Sequence, residues 1–400
     1  MNATDGSRSL VWPHSPSNDG RPLEGVKVLD VSRVLAGPYC TMILGDLGAD
    51  VVKVEPPYGD ETRRWGPPFR HETATYYFGA NRNKWGIVLD LQSESGRSAL
   101  ANLVEQADIL VQNYTGDTAT RLGVDYATTS TLNPTLVHLS LSGFGPAEPD
   151  RRGYDLVAQA LSGLMEITGP NDGSPARVGV PISDLSTGLF GAIGVLAALR
   201  RREHDGKGAQ LEVSLFDASV ALLANQSMSW LLAGEETPRL GSEHPNLAPY
   251  GAFATLDGHI VIAVGNDGQF EALCRVLGPP ALAGDPRFAT NRLRIQHRAE
   301  LRSELEARLG RRDRDTWRAL LDAAAVPNAA VRPVSSALTS DEARSVSDVV
   351  HPTLGAIPQV GNPIQIFGQY LWPYLAPPML GEHTDQVLGS IGEVVHVGTP

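Results

Sequence analysis

One aspartate stands where a long helix is predicted to begin, and its position suits two roles. Asp184 lies in the segment VPISDLSTG (180–188), directly before an apolar helical pattern that extends to Arg202. Aspartate is a favoured N-cap residue, and capping is its more frequent role at such a position. The same placement predicts that backbone N–H groups of the first turn keep the carboxylate ionised. A desolvated, well-positioned carboxylate of this kind can serve as a nucleophile in covalent catalysis.

Polar residues beside the predicted strands are candidates for holding a phosphorylated ligand. Residues 81–84 (NRNK) offer two amides and two cations for a phosphate and an aromatic ring, although such runs are more often solvated loops. Asn113 and Tyr114 end a later strand, and Arg121 lies one helical stretch further on. An amide, an aromatic ring and an arginine suit stacking and phosphate binding. We place both groups at the strand carboxyl ends, where open α/β sheets bind ligands.

Short apolar segments alternate with helical patterns and predict the scaffold that positions these residues. The segments are nearly continuous runs of Val, Ile and Leu, as in parallel strands covered on both faces. Strand–helix alternation indicates βαβ units, and so an α/β fold with a doubly wound, Rossmann-like large domain. The predicted strands are 26–31, 50–56, 86–91, 108–114 and 136–144.

The helix that follows Asp184 contains three evenly spaced glycines. Gly188, Gly191 and Gly194 lie three residues apart, on roughly one helical face. Because glycine has no side chain, this face lets another backbone approach closely, and we predict tight packing there.

The sequence pattern changes near residue 220 and predicts a second, smaller α+β domain. The segment YGAFATLDGHIVIAV (250–264) predicts a hairpin with its turn at Asp257-Gly258. Residues 297–309 predict a polar helix, in which Glu304 and Arg308 are four residues apart. The predicted organisation is a disordered N-terminal arm at 1–22, a large α/β domain at 23–220, a small domain at 225–330, and a C-terminal segment at 331–400 that returns to the large domain.

Composition limits the partners and the compartment. The chain has 400 residues, a formal net charge of -12 and ordinary globular composition, with 42% hydrophobic residues. An acidic surface repels phosphate backbones, so nucleic acid is not an expected partner. Cys40 and Cys274 stand far apart, which argues against a disulfide framework and favours the reducing cytoplasm. The longest apolar run, 189–199, is shorter than the ~18 residues of a membrane span, so no membrane is expected.

Several common catalytic motifs are absent from the sequence. It has no G-x-S-x-G elbow, no H-E-x-x-H pair and no P-loop, and we predict no metal site. The first βαβ unit has an acid, Glu55, at the spacing of a dinucleotide-binding fold, but it lacks the glycines and carries Pro38 in the turn. An NAD-dependent dehydrogenase therefore remains only as an alternative from another class.

An ordered set of segments extends over nearly the whole chain from Leu23 onward. The segments are LEGVKVLDVSRVLAGPYCTMILGDLGADVVKVE (23–55), ANRNKWGIVLDL (80–91), GYDLVAQALSGLMEITG (153–169), ISDLSTGLFGAIGVLAAL (182–199), GKGAQLEVSLFDA (206–218) and APPMLGEHTDQVLG (376–389). Together they resemble the class III CoA-transferases, the family of formyl-CoA and carnitine CoA-transferases, to which the α-methylacyl-CoA racemases are related. A dispersed, ordered set is more specific than one short motif.

The resemblance implies a mechanism and a set of contacts with coenzyme A or acyl-CoA. The family's catalytic aspartate falls on Asp184, which would attack the donor thioester, form a mixed anhydride and then become an aspartyl-CoA thioester. Exchange between thioesters is nearly isoenergetic, so neither ATP nor a metal is required. Pro56 stands where the family often has a basic residue. The implied CoA contacts are Arg33, Ala36, Asn83, Lys84, Asn113, Tyr114, Arg121, Arg152 and Tyr154.

Three further expectations come from the resemblance. The racemases carry a Gly-His-Asp triplet where this chain has Gly153-Tyr154-Asp155, and tyrosine is a poor base near neutral pH, so a transferase is favoured over the racemase alternative. The family's glycine-rich flap is replaced by residues 241–250, which look more like members that use succinyl-CoA and dicarboxylic acids. The family also forms interlocked homodimers, and a homodimer is therefore expected.

Overall fold

The computed structural model describes residues 10–14, 20–279 and 282–389. The strands are β1 Lys27–Asp30, β2 Asp50–Glu55, β3 Phe69–Arg70, β4 Thr73–Ala74, β5 Lys84–Val88, β6 Ile109–Gln112, β7 Val137–Ser142, β8 Ala209–Ser214, β9 Tyr250–Ala254, β10 His259–Ala263, β11 Asn328–Ala330, β12 Val346–His351, β13 Gly355–Val360, β14 Gln365–Ile366 and β15 Gln369–Tyr370. The helices are α1 Ala36–Asp46, α2 Thr75–Phe78, α3 Glu94–Gln106, α4 Gly116–Leu122, α5 Tyr126–Leu132, α6 Asp155–Leu161, α7 Ile182–Asp205, α8 Leu215–Ala221, α9 Ala224–Ala233, α10 Asp267–Leu277, α11 Asn291–Gln296, α12 Arg298–Leu309, α13 Arg314–Ala323, α14 Val334–Leu338 and α15 Thr384–Leu388.

A parallel sheet forms the framework of the first unit. Its strand order is β5-β2-β1-β6-β7-β8, and every neighbouring pair is parallel. All five strands predicted from the sequence belong to it, whereas β8 was not predicted. The chain moves outward from β1 through β2 to β5, then crosses back to continue with β6 on the other side of β1. The predicted α/β fold with a large parallel sheet is confirmed.

Both faces of this sheet are covered by apolar side chains, which explains the continuous hydrophobic strands. Val28 of β1 packs on one face with Leu44 of α1 and Val195 of α7. Its neighbour Leu29 points to the other face and packs with Leu103 of α3. Successive side chains of a strand alternate between faces, so a strand covered on both sides must be apolar at nearly every position.

Helix α7 packs against α1 through its glycines. A Cβ on Gly188 would lie 2.7 Å from the carbonyl oxygen of Ala36 and 3.3 Å from the backbone nitrogen of Cys40. A Cβ on Gly191 would lie 3.0 Å from Cδ2 of Leu139 in β7. The close backbone approach predicted for this face is therefore confirmed at Gly188, where the neighbouring atoms belong to the main chain of α1.

Replacing Gly188 with alanine is expected to lower the free energy of unfolding by about 1–3 kcal/mol, because a backbone carbonyl cannot move aside as a flexible side chain can. Gly194→Ala is the matched control on the same helix, since its Cβ would meet only Cδ1 of Leu211 at 3.7 Å. The control is expected to be neutral, or more stable by up to about 1 kcal/mol from helix propensity. Urea denaturation measures the free energy of unfolding of both variants. Equal changes for Gly188→Ala and Gly194→Ala would contradict the close packing of α7 on α1.

Helix α7 is also long and apolar enough to cross a membrane by length and composition, because its best window has a mean hydropathy of 1.6. The sequence-based argument against a membrane span used only uninterrupted apolar runs, and it missed this helix. Half of that window is nevertheless buried within the protein. Val195 and Leu199 belong to the core of the first unit, and a core helix of this kind passes the same length test.

The second unit contains residues 163–178 and 224–343. Strands β9 and β10 form the predicted antiparallel hairpin around Asp257-Gly258, and β11 pairs with the other edge of β10. Helices α10, α12 and α13 cover this sheet, and the shared core includes Phe253, Phe270 and Trp317. The predicted ion pair on α12 is present, with Nη1 of Arg308 2.5 Å from Oε2 of Glu304.

The division of the chain differs from the predicted domains in two places. Residues 163–178 belong to the second unit rather than to the large domain, and Glu166 pairs there with Arg239 at 2.5 Å. The second unit extends to residue 343, so only 344 onward joins the first unit. Such assignments depend on contacts between distant segments, which composition does not show. Residues 390–400 of the predicted C-terminal segment lie outside the described residues.

Part of the predicted disordered arm is packed on the first unit. Trp12 is buried, and its Nε1 donates a hydrogen bond to the carbonyl oxygen of Asp50 at 3.1 Å. The backbone nitrogen of Val11 donates to the carbonyl oxygen of Val387 at 3.2 Å. The prediction of disorder is therefore wrong for residues 10–14, which one large aromatic side chain anchors. It is also wrong for residues 20–22, where Nη1 of Arg21 donates to the carbonyl oxygen of Asp46 at 3.1 Å. Residues 1–9 and 15–19 lie outside the described residues.

Candidate active site

A cavity of about 390 Å³ lies at the carboxyl ends of the parallel strands. Arg33 and Ala36 on its wall follow β1, Asn113 follows β6, Gly143 follows β7 and Leu215 follows β8. The direction in which the chain is wound reverses between β1 and β6. Open α/β sheets form their ligand crevices at this reversal. The topology therefore places the candidate site between these two strands.

Side chains from neighbouring strands fix the turn between β1 and α1. The backbone nitrogen of Arg33 donates to Oδ1 of Asn113 at 2.9 Å, and Nδ2 of Asn113 donates to the carbonyl oxygen of Arg33 at 2.7 Å. The next residue, Val34, has a φ of 68°, which a β-branched residue adopts only when its surroundings impose it. Its backbone nitrogen donates to the buried carboxylate of Asp60, which Nζ of Lys53 also contacts at 3.1 Å. Hydrogen bonds to Asn113, which follows β6, and to Asp60, which follows β2, thus fix the backbone of this turn.

Asp184 lies at the third position of α7, facing the cavity. No hydrogen bond to its carboxylate is found among the residues that the structure describes. Burial, and then the nearby carboxylate of Asp155, raise the pKa of Asp184 to about 7. The predictions that Asp184 caps the helix and that backbone N–H groups keep it ionised are therefore wrong.

The helix begins earlier than expected, and another acid occupies its N-terminus. Helix α7 starts at Ile182, and the backbone nitrogen of Ser183 donates to Oδ1 of Asp155 at 2.8 Å. Nε2 of Gln159 donates to the other oxygen of Asp155 at 2.7 Å. Asp155 thus accepts a backbone hydrogen bond from the first turn of α7, of the kind predicted for Asp184, and the Asp184 carboxylate lacks such stabilisation.

Seven of the ten predicted site residues line the cavity. The wall brings together the candidate nucleophile and the residues that end or follow β1, β6 and β7. They are Arg33, Ala36, Asn113, Tyr114, Arg152, Tyr154 and Asp184.

Asn83 and Lys84 do not reach the cavity, because both side chains are fully buried in polar networks. Nζ of Lys84 contacts Oδ2 of Asp30 at 3.0 Å and the carbonyl oxygen of Pro38 at 2.8 Å. Nδ2 of Asn83 donates to Asp46 at 2.8 Å. The run 81–84 leads into β5, whose first residue is Lys84, so it lies at the amino end of that strand, and its predicted placement at a carboxyl end was wrong.

Arg121 also differs from the prediction. It is exposed on α4 and does not line the cavity, whereas Thr118, one turn earlier on the same helix, does. The sequence showed that a cation follows Asn113 and Tyr114, but the direction of its side chain depends on how α4 is oriented.

Several wall residues were not identified from the sequence. Glu61 and Trp65 come from the loop after β2, and Arg151 precedes the predicted Arg152. Gly143 and Gly153 could have indicated from the sequence that two loops meet at this part of the wall. A Cβ on Gly153 would lie 2.5 Å from the Cα of Gly143, so the loops after β7 and before α6 touch through their backbones. Only glycine at both positions permits this contact.

The wall combines three arginines with a carboxyl group of raised pKa. Arg33, Arg151 and Arg152 suit an anionic ligand, and arginine is well matched to phosphate oxygens. Asp184 is partly buried in the wall, and its carboxylate accepts no hydrogen bond from the residues that the structure describes, so none weakens its nucleophilicity. An anionic ligand with an electrophilic acyl group is therefore the kind of molecule that this site can bind and modify.

Comparison with known proteins gives consistent results along the chain. Residues 23–384 match the family model described as CoA-transferase family III. The chain is 38% identical to the mouse protein named succinyl-CoA:glutarate CoA-transferase, over 96% of this chain and 90% of that protein. It is also 38% identical to succinate–glutarate CoA-transferase of Agrobacterium fabrum, over 95% and 98%. A crystal structure of a CAIB/BAIF family protein from Brucella suis aligns with a TM-score of 0.83 and 38% identity, over 92% and 98%.

Proposed function

Since the chain belongs to CoA-transferase family III and is an enzyme that transfers CoA, we propose that Asp184 is its nucleophile and succinyl-CoA its donor. The role of Asp184 as nucleophile is supported by its partly buried carboxyl of raised pKa, which faces a cavity with three arginines. The proposal of succinyl-CoA as the donor is supported by the relatives that are named for succinyl-CoA and glutarate. The acceptor that we propose is a dicarboxylic acid such as glutarate.

The reaction runs through two kinds of intermediate on one side chain. The Asp184 carboxylate attacks the thioester carbonyl of the donor, the C–S bond breaks, and CoA leaves as a thiolate. The thiolate attacks the aspartyl carbonyl of the resulting anhydride, which releases the donor acid and leaves an aspartyl-CoA thioester. The acceptor carboxylate attacks this thioester and expels the thiolate again. Finally the thiolate attacks the acceptor's acyl carbon, which gives the new acyl-CoA and restores Asp184.

The environment of Asp184 suits this sequence. A carboxylate of raised pKa is a stronger nucleophile than one held by several hydrogen bonds, and exclusion of water protects the anhydride from hydrolysis. We propose that CoA contacts Arg33, Ala36, Asn113 and Tyr114 at the ends of β1 and β6, and Arg152 and Tyr154 beyond β7. Phosphate groups would lie against the arginines.

Trapping the acyl-enzyme tests the role of Asp184. The enzyme is incubated with succinyl-CoA without an acceptor, treated with hydroxylamine, digested and analysed by mass spectrometry. We expect a hydroxamate on Asp184 and none on Asp155, the neighbouring carboxylate. A hydroxamate on Asp155, or an unmodified protein under conditions of turnover, would refute the assignment.

The substrate proposal has its own test. Succinyl-CoA is incubated with glutarate, oxalate, mesaconate and a monocarboxylic acid of similar size, and new CoA thioesters are identified by mass spectrometry. We expect a dicarboxylic acid to give the highest kcat/KM. A preference for the monocarboxylic acid would remove the substrate class and leave the CoA-transferase function intact.

The pH dependence of the rate should report the titration of Asp184. Because only the carboxylate attacks the thioester, kcat/KM is expected to fall as the pH decreases through about 7, the pKa of Asp184. Asp155→Asn removes the neighbouring charge and keeps an oxygen that accepts from Ser183, so the acid limb should move to lower pH. Asp205→Asn, at the opposite end of α7, is the matched control and should leave the profile unchanged. An unshifted profile for Asp155→Asn would contradict the electrostatic coupling.

We also propose that the enzyme is a homodimer with interlocked chains. The support is an apolar face that α7 exposes opposite its glycines, with Leu189, Phe190 and Ile193 at 47%, 40% and 61% exposure. Exposed apolar surfaces of this kind mark interfaces. Light scattering should give twice the mass of one chain, and Ile193→Asp should lower it. Interlocked chains should not exchange between tagged and untagged dimers unless they unfold, so rapid exchange would refute interlocking.

The compartment that we propose is the cytoplasm. Cys40 and Cys274 are both buried and unpaired, as suits a reducing environment. Fractionation of the source cells with antibodies against the protein is the direct test.

A further inference from the structure

An acidic residue on the cavity wall contacts the arginine that follows β1. Nη1 of Arg33 donates to Oε1 of Glu61, and the Arg33 guanidinium lies over the ring of Tyr114, 4.7 Å from its centroid. The two charged side chains are each about 30% exposed. A cavity for an anionic ligand thus contains a carboxylate placed against one of its cations.

The pair leaves polar atoms unsatisfied. Nε of Arg33 and Oε2 of Glu61 are both buried and have no hydrogen-bond partner among the described residues. A guanidinium and a carboxylate can form two parallel hydrogen bonds, but this pair forms one. Buried donors and acceptors without partners are unfavourable, so an anionic ligand that offers better-placed oxygens can replace Glu61.

The backbones on both sides of the pair are fixed, so any exchange is restricted to side chains. Asn113 holds the backbone of Arg33 through two hydrogen bonds. Glu61 follows Asp60, whose backbone nitrogen donates to Oε2 of the buried Glu55 at 2.8 Å. Glu61 therefore stays at the wall when a ligand enters, while the Arg33 side chain can turn from Glu61 toward the cavity.

The other two arginines of the wall differ in their partners. Arg151 pairs with Glu148 at 3.0 Å, and both side chains are about half exposed. Arg152 has no acidic partner within the described ranges. Glu61 is thus the carboxylate of the wall that is paired with an arginine. Because it is partly buried, water screens its charge less than it screens the charge of an exposed carboxylate such as Glu148.

We propose that Glu61 limits the affinity for CoA by competing with its phosphate groups for Arg33. In the free enzyme the Glu61 carboxylate holds the guanidinium against Tyr114. When CoA binds, a phosphate oxygen takes the place of Oε1 of Glu61 at Arg33, and Glu61 remains nearby as an opposing charge. Glu61 therefore weakens the binding of CoA. The proposal rests on the proposed use of this cavity for CoA.

Calorimetric titration of the full-length protein with CoA tests the proposal. Glu61→Gln keeps the shape and one oxygen but removes the charge, and it should lower the Kd for CoA by about fivefold, the size of a partly exposed ion pair. Arg33→Met should raise the Kd, and Glu61→Gln should have a smaller effect in the Arg33→Met background. Pantetheine, which lacks phosphate, should bind all variants equally, and 3′-dephospho-CoA shows which phosphate competes. Glu203→Gln, which removes the same charge far from the cavity, should leave the Kd unchanged.

The outcomes separate this proposal from the function on which it rests. If the unaltered enzyme does not bind CoA, the use of the cavity for CoA fails. If it binds CoA but Glu61→Gln binds equally or more weakly, then Glu61 does not compete and the proposal is overturned. An equal gain in affinity for pantetheine would also overturn it, because the effect would not depend on phosphate. Thermal melts of each variant confirm that it is folded.

Discussion

Asp184→Asn is expected to reduce turnover by at least about 10³-fold, because an amide does not attack a thioester at a useful rate. Binding of CoA should persist, since the arginines of the cavity wall are unchanged. Steady-state rates with succinyl-CoA and glutarate measure the loss, and calorimetry measures the retained binding. Asp184→Ala is the second variant, because asparagine can deamidate and restore a trace of aspartate.

The same substitution should make the protein more stable at alkaline pH. The folded protein raises the pKa of Asp184 from 3.8 to about 7, so the folded state binds this proton more tightly than the unfolded chain. The stability that depends on this group is therefore present below pH 4 and is lost as the pH rises from about 4 to about 7. Asp184→Asn lacks this titration, so its melting temperature should exceed that of the wild type at pH 8, with a gap that closes toward pH 4.

The expected loss of turnover and the expected gain in stability of Asp184→Asn can each be contradicted by one result. If Asp184→Asn retained a tenth of the activity, another group would be the nucleophile. If the variant were less stable at pH 8, the carboxylate would be stabilised in the fold by contacts that the structure does not show. Asp205→Asn, at the exposed end of α7, is the control for both measurements.

Arg82→Met is expected to lower the free energy of unfolding by about 3–5 kcal/mol, because it leaves a buried carboxylate without its cation. Nε and Nη2 of Arg82 donate to both oxygens of Asp46, at 2.8 and 2.6 Å, and both side chains are buried. Nδ2 of Asn362 reaches the same carboxylate at 3.2 Å, which joins the C-terminal segment to α1. Urea denaturation at one fixed protein concentration measures the change.

Arg200→Met supplies the matched control for this prediction. Arg200 pairs with Glu203, but the two side chains are 69% and 64% exposed, so the same substitution should change stability by less than about 1 kcal/mol. Folded Arg82→Met protein should bind CoA with the affinity of the wild type. A loss of CoA binding with unchanged stability would contradict this prediction and would support the ligand-binding role that the sequence suggested for residues 81–84.

The positions that the sequence predicted correctly are those fixed by local order along the chain. The five predicted strands appear in the parallel sheet because a strand covered on both faces must be apolar at almost every residue. Residues that directly end or follow a strand, such as Asn113 and Tyr114, reach the cavity because the carboxyl ends of parallel strands share one edge. The family resemblance added Arg33, Ala36, Arg152 and Tyr154, which lie on the same wall.

Tertiary structure alone decided how each side chain is used. Asn83 and Lys84 have the composition of a phosphate site, yet buried acids from α1 and β1 take their hydrogen bonds. Burial raises the pKa of the Asp184 carboxyl, which the sequence expected to be ionised, and the charge of Asp155 raises it further. Asp155 lies 29 residues earlier in the chain, and its side chain accepts a hydrogen bond from the first turn of α7. The energy of a charged group depends on burial and on charges brought near it from elsewhere in the chain. A linear sequence states which charged groups exist, and only the folded chain sets the distances between them.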